Sequence, residues 1–118
     1  MASRLMIARI KPDREADWRR LIEELGSNRR GEWAQSNRRH GVRRIALWMN
    51  SGGDGLQTAI LCDGHRGQDW PEGLARSGEE FDRWLGSRLA DLTLSVTEAE
   101  RLVDTGLRFG AWREWRRR

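Results

Sequence analysis

The sequence predicts an α+β domain of order strand, helix, strand, strand, helix, strand, with the helices on one face of an antiparallel sheet. Three observations carry this. At 118 residues the chain suits one domain with one hydrophobic core. Segments of strand period and helix period alternate along it, with Pro12, Gly41 and the SGGDG run at the joints. The two middle strands follow each other across SGGDG, a hairpin signal because several of its positions tolerate positive φ.

The first strand, RLMIARIK from Arg4 to Lys11, sets Leu5, Ile7 and Arg9 against Met6, Ala8 and Ile10. Both faces are largely apolar, as in a central strand. Pro12 stops its ladder, and Asp13 is placed to cap the helix that follows. That helix carries Trp18, Leu21, Ile22 and Leu25 as its apolar stripe, opposite Arg14, Glu15, Arg19 and Glu23. Gly26 and Ser27 break it, and a second helical piece spans about Asn28 to His40, ended by Gly41.

GVRRIALWMN is the second strand, with Val42, Arg44, Ala46 and Trp48 opposite Arg43, Ile45, Leu47 and Met49. LQTAILCDG is the third, with Leu56, Thr58, Ile60 and Cys62 opposite Gln57, Ala59 and Leu61. HRGQDWPEGLARS has the composition of a loop. Ser77 and Glu80 fit a capping box before a helix whose stripe is Phe81, Trp84, Leu85, Leu89 and Leu92. LSVTEAERLVDTG holds either a fourth strand around Glu100 to Thr105 or a short helix capped by Thr97 and Glu100. The strand is preferred because the sheet needs a partner at its open edge. A Trp- and Arg-rich tail, residues 106–118, completes a single domain of residues 1–118.

The formal net charge of +4 is unevenly placed. Arg116, Arg117 and Arg118 supply three charges, the interval Arg29 to Arg44 carries +5, and the remainder is negative. Such concentration favours a site or an interface over general polyanion binding. Nucleic acid is disfavoured as a partner, because Arg29 and Arg30, then Arg38 and Arg39, are adjacent pairs spread around a helix and no nucleic-acid motif is present. Cys62 is the one cysteine, which excludes an intrachain disulfide and a Cys-rich zinc site and fits a reduced, cytoplasmic setting. No stretch approaches the roughly 18 apolar residues of a membrane span, and the N-terminus has no apolar run of secretory length.

Continued past the break at its own period, the first helix's apolar face meets Arg29, Trp33, Ser36 and His40. Polar groups on a buried face need partners or a ligand; alternatively, Arg29 and His40 leave the core where the helix passes the sheet's edge. His40 ends a helix just before a strand, where it can cap the last turn or act as a base near neutral pH. Trp33 and Trp48 can wall a flat aromatic substrate, with Arg29, Arg44 or Asn50 binding its oxygen. Two histidines without a compact carboxylate set make no metal site, and no cofactor is expected, although the spacing leaves haem ligation by His40 or His65 open. Cys62, on an apolar strand, reads as an inert buried thiol. Asp13, Asp17, Glu23 and Glu24 read as a solvated helix face, and Asp82 with Glu79 and Glu80 as acids suited to a helix N-terminus.

RIKPDREADWRRLIEEL, a broken helix, RRHGVRRIALWM, a Gly-rich hairpin and GEEFDRWL together resemble the dimeric α+β barrel superfamily. The likeness covers roughly residues 4 to 105 and is nearest to an uncharacterised small family, of a kind often actinobacterial, related to the antibiotic-biosynthesis monooxygenases and EthD-like proteins. It implies a ferredoxin-like βαββαβ sheet, a homodimer, and a pocket between sheet and helices. It also implies secondary metabolism, with cofactor-independent oxygenation or cyclisation of a hydrophobic or aromatic metabolite. Such chemistry needs a base, for which His40 is the candidate, and a cation beside a developing oxyanion, for which Arg44 is. The chain has no tyrosine, a residue many oxygenase pockets of this superfamily use. Two other functional classes stand beside this one: nucleic-acid binding through the clustered arginines, and a non-catalytic assembly subunit docking through the tail.

Overall fold

The computed structural model describes residues 2–53, 55–66, 69–98 and 113–115. Its elements are β1 (Ala2–Ile10), α1 (Glu15–Gly26), α2 (Arg30–Arg39), β2 (Val42–Gly52), β3 (Gly55–Gly64), α3 (Glu72–Arg76), α4 (Glu80–Leu92), β4 (Thr93–Glu98) and β5 (Arg113–Trp115). The sheet is antiparallel throughout and runs β4-β1-β3-β2, with β5 added beyond β2. This is a small α+β fold compatible with a ferredoxin-like arrangement. Among the described residues no helix is long and apolar enough to cross a membrane.

Register assigns the two sheet faces. Met6 and Ala8 lie opposite Ile60 and Thr58, which in turn lie opposite Leu47 and Met49. This face meets Trp18, Leu21, Ile22 and Leu25 of α1 and Phe81, Leu85 and Leu92 of α4 in one buried cluster. Fully burying each such side chain contributes about 1.5–3 kcal/mol, which makes this cluster the main source of stability. A buried polar pair beneath it is satisfied internally: the Trp18 indole N–H donates to Thr58 Oγ1 at 2.9 Å, and both residues are buried.

The strand joint at Gly41 is built by two glycines. Gly41 has φ of +66°, which turns the chain from α2 into β2. A Cβ on Gly64 would stand 2.3 Å from the Gly41 carbonyl oxygen and 2.7 Å from the Arg43 nitrogen, so only glycine allows β3 to approach this closely. There the ladder carries a bulge: Val42 pairs with Gly64 and Arg44 with Asp63, leaving Arg43 as the extra residue. Simple alternation, which set Val42 beside Ala46 and Trp48, fails at this bulge. Val42 joins the helix-covered core instead.

Other local expectations are also revised. Residues Pro12–Arg14 form a 3-10 turn, and α1 has no side-chain cap from Asp13; Arg14 at the N-cap pairs with Asp17 and Asp91. Asp17 therefore belongs to an ion-pair network rather than to a freely solvated face. The stretch read as a loop contains α3, seated by the fully buried Leu74. Ser77 closes no capping box, because its hydroxyl accepts the Glu79 N–H and donates to Asp82. The last strand starts at Thr93, directly after α4's final apolar residue, since TLSVTE has strand period and pairs with β1 at once. The strand placed around Glu100 to Thr105 lies outside the described residues, as does most of the tail. Within the tail, the Arg113–Trp115 backbone pairs with Leu47–Met49 of its own β2.

Candidate functional site

Helix α2 organises the candidate site because its two long faces meet different neighbours. Arg30, Trp33, Ala34, Asn37 and Arg38 recur at i, i+3, i+4, i+7 and i+8 and so share one face. With Leu25 and Gly26 at the end of α1, and Val42 and Arg43 at the start of β2, they line a cleft of about 400 Å³. The bulge is what brings both Val42 and Arg43 to it. Trp33 walls the cleft and packs edge-on against Trp70, with ring centroids 6.3 Å apart. Asn37 Oδ1 is buried there without a hydrogen-bond partner. Among the described residues no carboxylate lines this space. Among the described residues, the Arg30, Arg38 and Arg43 guanidinium groups make no ion pair or side-chain hydrogen bond.

The opposite face of α2 meets α4 around one buried carboxylate. Asp82, fully buried, accepts from Ser36 Oγ at 2.5 Å and Arg39 Nη2 at 2.9 Å on Oδ1. On Oδ2 it accepts from Ser77 Oγ at 2.6 Å and His40 Nε2 at 2.9 Å. Burial by itself would raise this carboxyl's pKa, but the bonds from Arg39, Ser36, Ser77 and His40 outweigh burial and hold it well below the usual carboxylate range. An ionised carboxylate only accepts, so His40 Nε2 carries the hydrogen. His40 Nδ1 lies against α3, where a Cβ on Gly73 would come within 3.1 Å of it.

The residues expected to form one site therefore separate. Trp33 lines the cleft. Arg29 stacks on Trp84, 4.0 Å from the ring centroid, and pairs with Glu24 and Glu32. Together with Glu32, Glu80, Phe81 and Trp84 it lines a second, smaller cleft of about 330 Å³. His40 is engaged with Asp82. Arg44, Trp48 and Asn50 share the sheet face away from the helices, opposite Asp63, Ala59 and Gln57. Trp33 and Trp48 thus stand in different layers and do not wall one space. The expected helix stripe of Arg29, Trp33, Ser36 and His40 carried α1's phase across residues whose backbone is not helical: Ser27 has φ −131° and ψ −93°. Restarting the period at Arg30 gives the cleft face.

Sequence reasoning missed Arg30, Asn37, Arg38 and Arg43 as a group, and Asp82 as a hub. Asp82 had a readable signal, since it precedes Leu85 by three residues and Leu89 by seven and so falls on the apolar stripe. Cys62 is free and buried, and burial pushes its thiol up to about 12. Among the described residues no three His, Cys, Asp or Glu side chains gather to hold a metal ion. No protein-family model, curated protein or solved structure matches the chain.

Proposed function

We propose that this chain is a small-molecule-binding protein whose ligand, a flat hydrophobic or aromatic metabolite, seats against Trp33 in the cleft between α1, α2 and β2. The observation that carries this reading is the composition of the cleft. An aromatic wall, apolar Leu25, Ala34 and Val42, and a buried Asn37 oxygen without a partner share about 400 Å³. Sites for small organic molecules combine such features at roughly 300–1,000 Å³. Binding is preferred to turnover of the cofactor-independent oxygenase or cyclase kind, which needs a base and an oxyanion-binding cation on one ligand. His40 has one ring nitrogen on Asp82 and the other beside Gly73, while Arg44 is on the far sheet face.

Titrating small aromatic fragments into the ¹⁵N-labelled chain tests the site. The expected result is that amide and indole shifts move at Trp33, Asn37 and Val42 and that Ala34→Trp, which fills the cleft, abolishes the response. Shifts confined to other residues, or undiminished in Ala34→Trp, overturn the assignment.

The dimeric α+β barrel organisation is the second half of the proposal, with a second copy packing on the sheet face away from the helices. On that face Leu5, Leu61 and Ala46 form one row, and Ile7, Ala59 and Trp48 the next. Polar rows of Ser3, Asp63 and Arg44, and of Arg9, Gln57 and Asn50, bound them. A face meant for water alternates to polar residues along each strand, whereas these two adjacent rows are apolar. Light scattering should find a dimer that Ile7→Glu dissociates into a folded monomer; a monomeric wild type overturns the pairing.

A further inference from the structure

We infer that the ligand of the α2 cleft is an aromatic dianion, a planar ring carrying a phosphate or a pair of carboxylates. This rests on the small-molecule reading above and adds its charge. Among the described residues, three arginines, Arg30, Arg38 and Arg43, line the cleft, no acid does, and none of the three guanidinium groups is paired.

The three differ in ordinary structural role. Arg38 has one, because it occupies the last turn of α2, where the helix dipole favours a cation. Arg30 has none, because it occupies the first helical position, where the same dipole favours an acid. Arg43 has none either: it is the extra residue of the bulge, exposed, and held in place by the Gly41–Gly64 contact rather than by a partner for its charge. Two cations without a structural role, beside a third that adds to the same field, match a ligand of charge −2. The guanidinium fork suits planar oxyanions and phosphate alike. Trp33 supplies the face for the ring.

The neighbouring arginines support this division. Arg29 and Arg39, each adjacent in sequence to a cleft arginine, are consumed by Trp84 with Glu24 and Glu32, and by Asp82. Local acids are therefore within the chain's means, and the described lining of the cleft holds none.

The test is calorimetric titration of the full chain with phenyl phosphate, phthalate, benzoate, benzamide and inorganic phosphate at low and high salt. Phenyl phosphate or phthalate should bind tightest, benzoate more weakly and benzamide weakest. Inorganic phosphate should bind at least about tenfold more weakly than phenyl phosphate, for want of the ring. Arg30→Gln and Arg43→Gln should each weaken the dianions about tenfold, the change expected for one lost charge-assisted hydrogen bond, and leave benzamide unchanged. Benzamide binding as tightly as the dianions overturns the charge inference and leaves the small-molecule reading standing. Inorganic phosphate binding as tightly as phenyl phosphate overturns the ring. Failure of every aromatic probe to bind overturns the underlying reading as well. The two dianions separate the sources: a preference for phthalate assigns dicarboxylates, and one for phenyl phosphate assigns phosphomonoesters.

Discussion

Removing the Asp82 carboxylate tests whether one buried charge holds α2 against α4. In Asp82→Ala, four donors lose a common acceptor: Ser36, Arg39, His40 and Ser77. Ser36 is as buried as Asp82, so its hydroxyl has no route to water; an unpaired buried polar group costs about 1–3 kcal/mol. The Arg39 and His40 side chains keep 34% and 18% exposure and recover part of their loss from solvent. Breaking a buried pair by removing one partner costs about 3–5 kcal/mol, and that partial recovery puts this substitution near 3. Against the roughly 5–15 kcal/mol that stabilises a domain, such a loss is large. Urea unfolding followed by circular dichroism should show the midpoint falling at unchanged slope. A loss under about 1 kcal/mol, the size of an average point substitution or less, refutes the claim that the cluster holds the helices together.

The same carboxylate gives the fold a pH dependence of known sign. Its folded pKa is depressed, so the ionised form stabilises the fold above the unfolded carboxylate's value, about 3.9. That stabilisation is lost as the pH falls from there toward the folded value. Asp82→Asn keeps the shape and has no such titration. The stability gap between the wild type and Asp82→Asn should therefore be full at neutral pH and narrow below about pH 4. Asp17, whose pKa is lowered by its bond from Arg14, titrates in both proteins and cancels. A gap that stays constant into acid refutes ionised Asp82 as its source.

Gly64→Ala should destabilise by more than about 2 kcal/mol, because the new methyl meets backbone atoms of Gly41 and Arg43 that cannot rotate away; an unchanged melting temperature refutes the close approach. Cys62 should resist thiol reagents in the native chain at mildly alkaline pH and react fully in denaturant, since burial pushes its thiol up to about 12; rapid native labelling refutes that burial. Arg39→Gln should lower the melting temperature while Arg38→Gln leaves it within the range of a surface substitution, and equal effects within the pair refute their division of labour.

The strands and the apolar faces of α1 and α4 were legible because each rests on a repeated period of bulky residues, such as Trp18, Leu21, Ile22 and Leu25. The hairpin was legible in SGGDG. What failed depended on single residues whose role is set by tertiary contact. Ser77 had the sequence position of a cap, but its oxygen accepts the Glu79 N–H and its hydroxyl is turned onto the buried Asp82 carboxylate, five residues on. The bulge at Arg43 follows from the approach of Gly64, twenty-one residues on, and strand alternation cannot anticipate it. The site suffered most, because its assignment carried helical phase across Ser27. One residue of phase is about 100°, enough to exchange Arg30 for Arg29 as the cleft-facing cation.

The arginine doublets now have a geometric reading. Sequence neighbours on a helix diverge by about 100°, and on a strand by about 180°, so a doublet cannot serve one patch. Each of the three supplies one member to the cleft, namely Arg30, Arg38 and Arg43. The other member goes elsewhere: Arg29 to Trp84, Arg39 to Asp82, and Arg44 to the sheet face away from the helices. What reads in one dimension as a basic run is, in the fold, two paired cations, one on the sheet face and three convergent on a single concavity. A nucleic-acid surface would need the opposite arrangement, with the cations spread along a convex or grooved track matching successive phosphates. Convergence on about 400 Å³ instead suits the small anion proposed above.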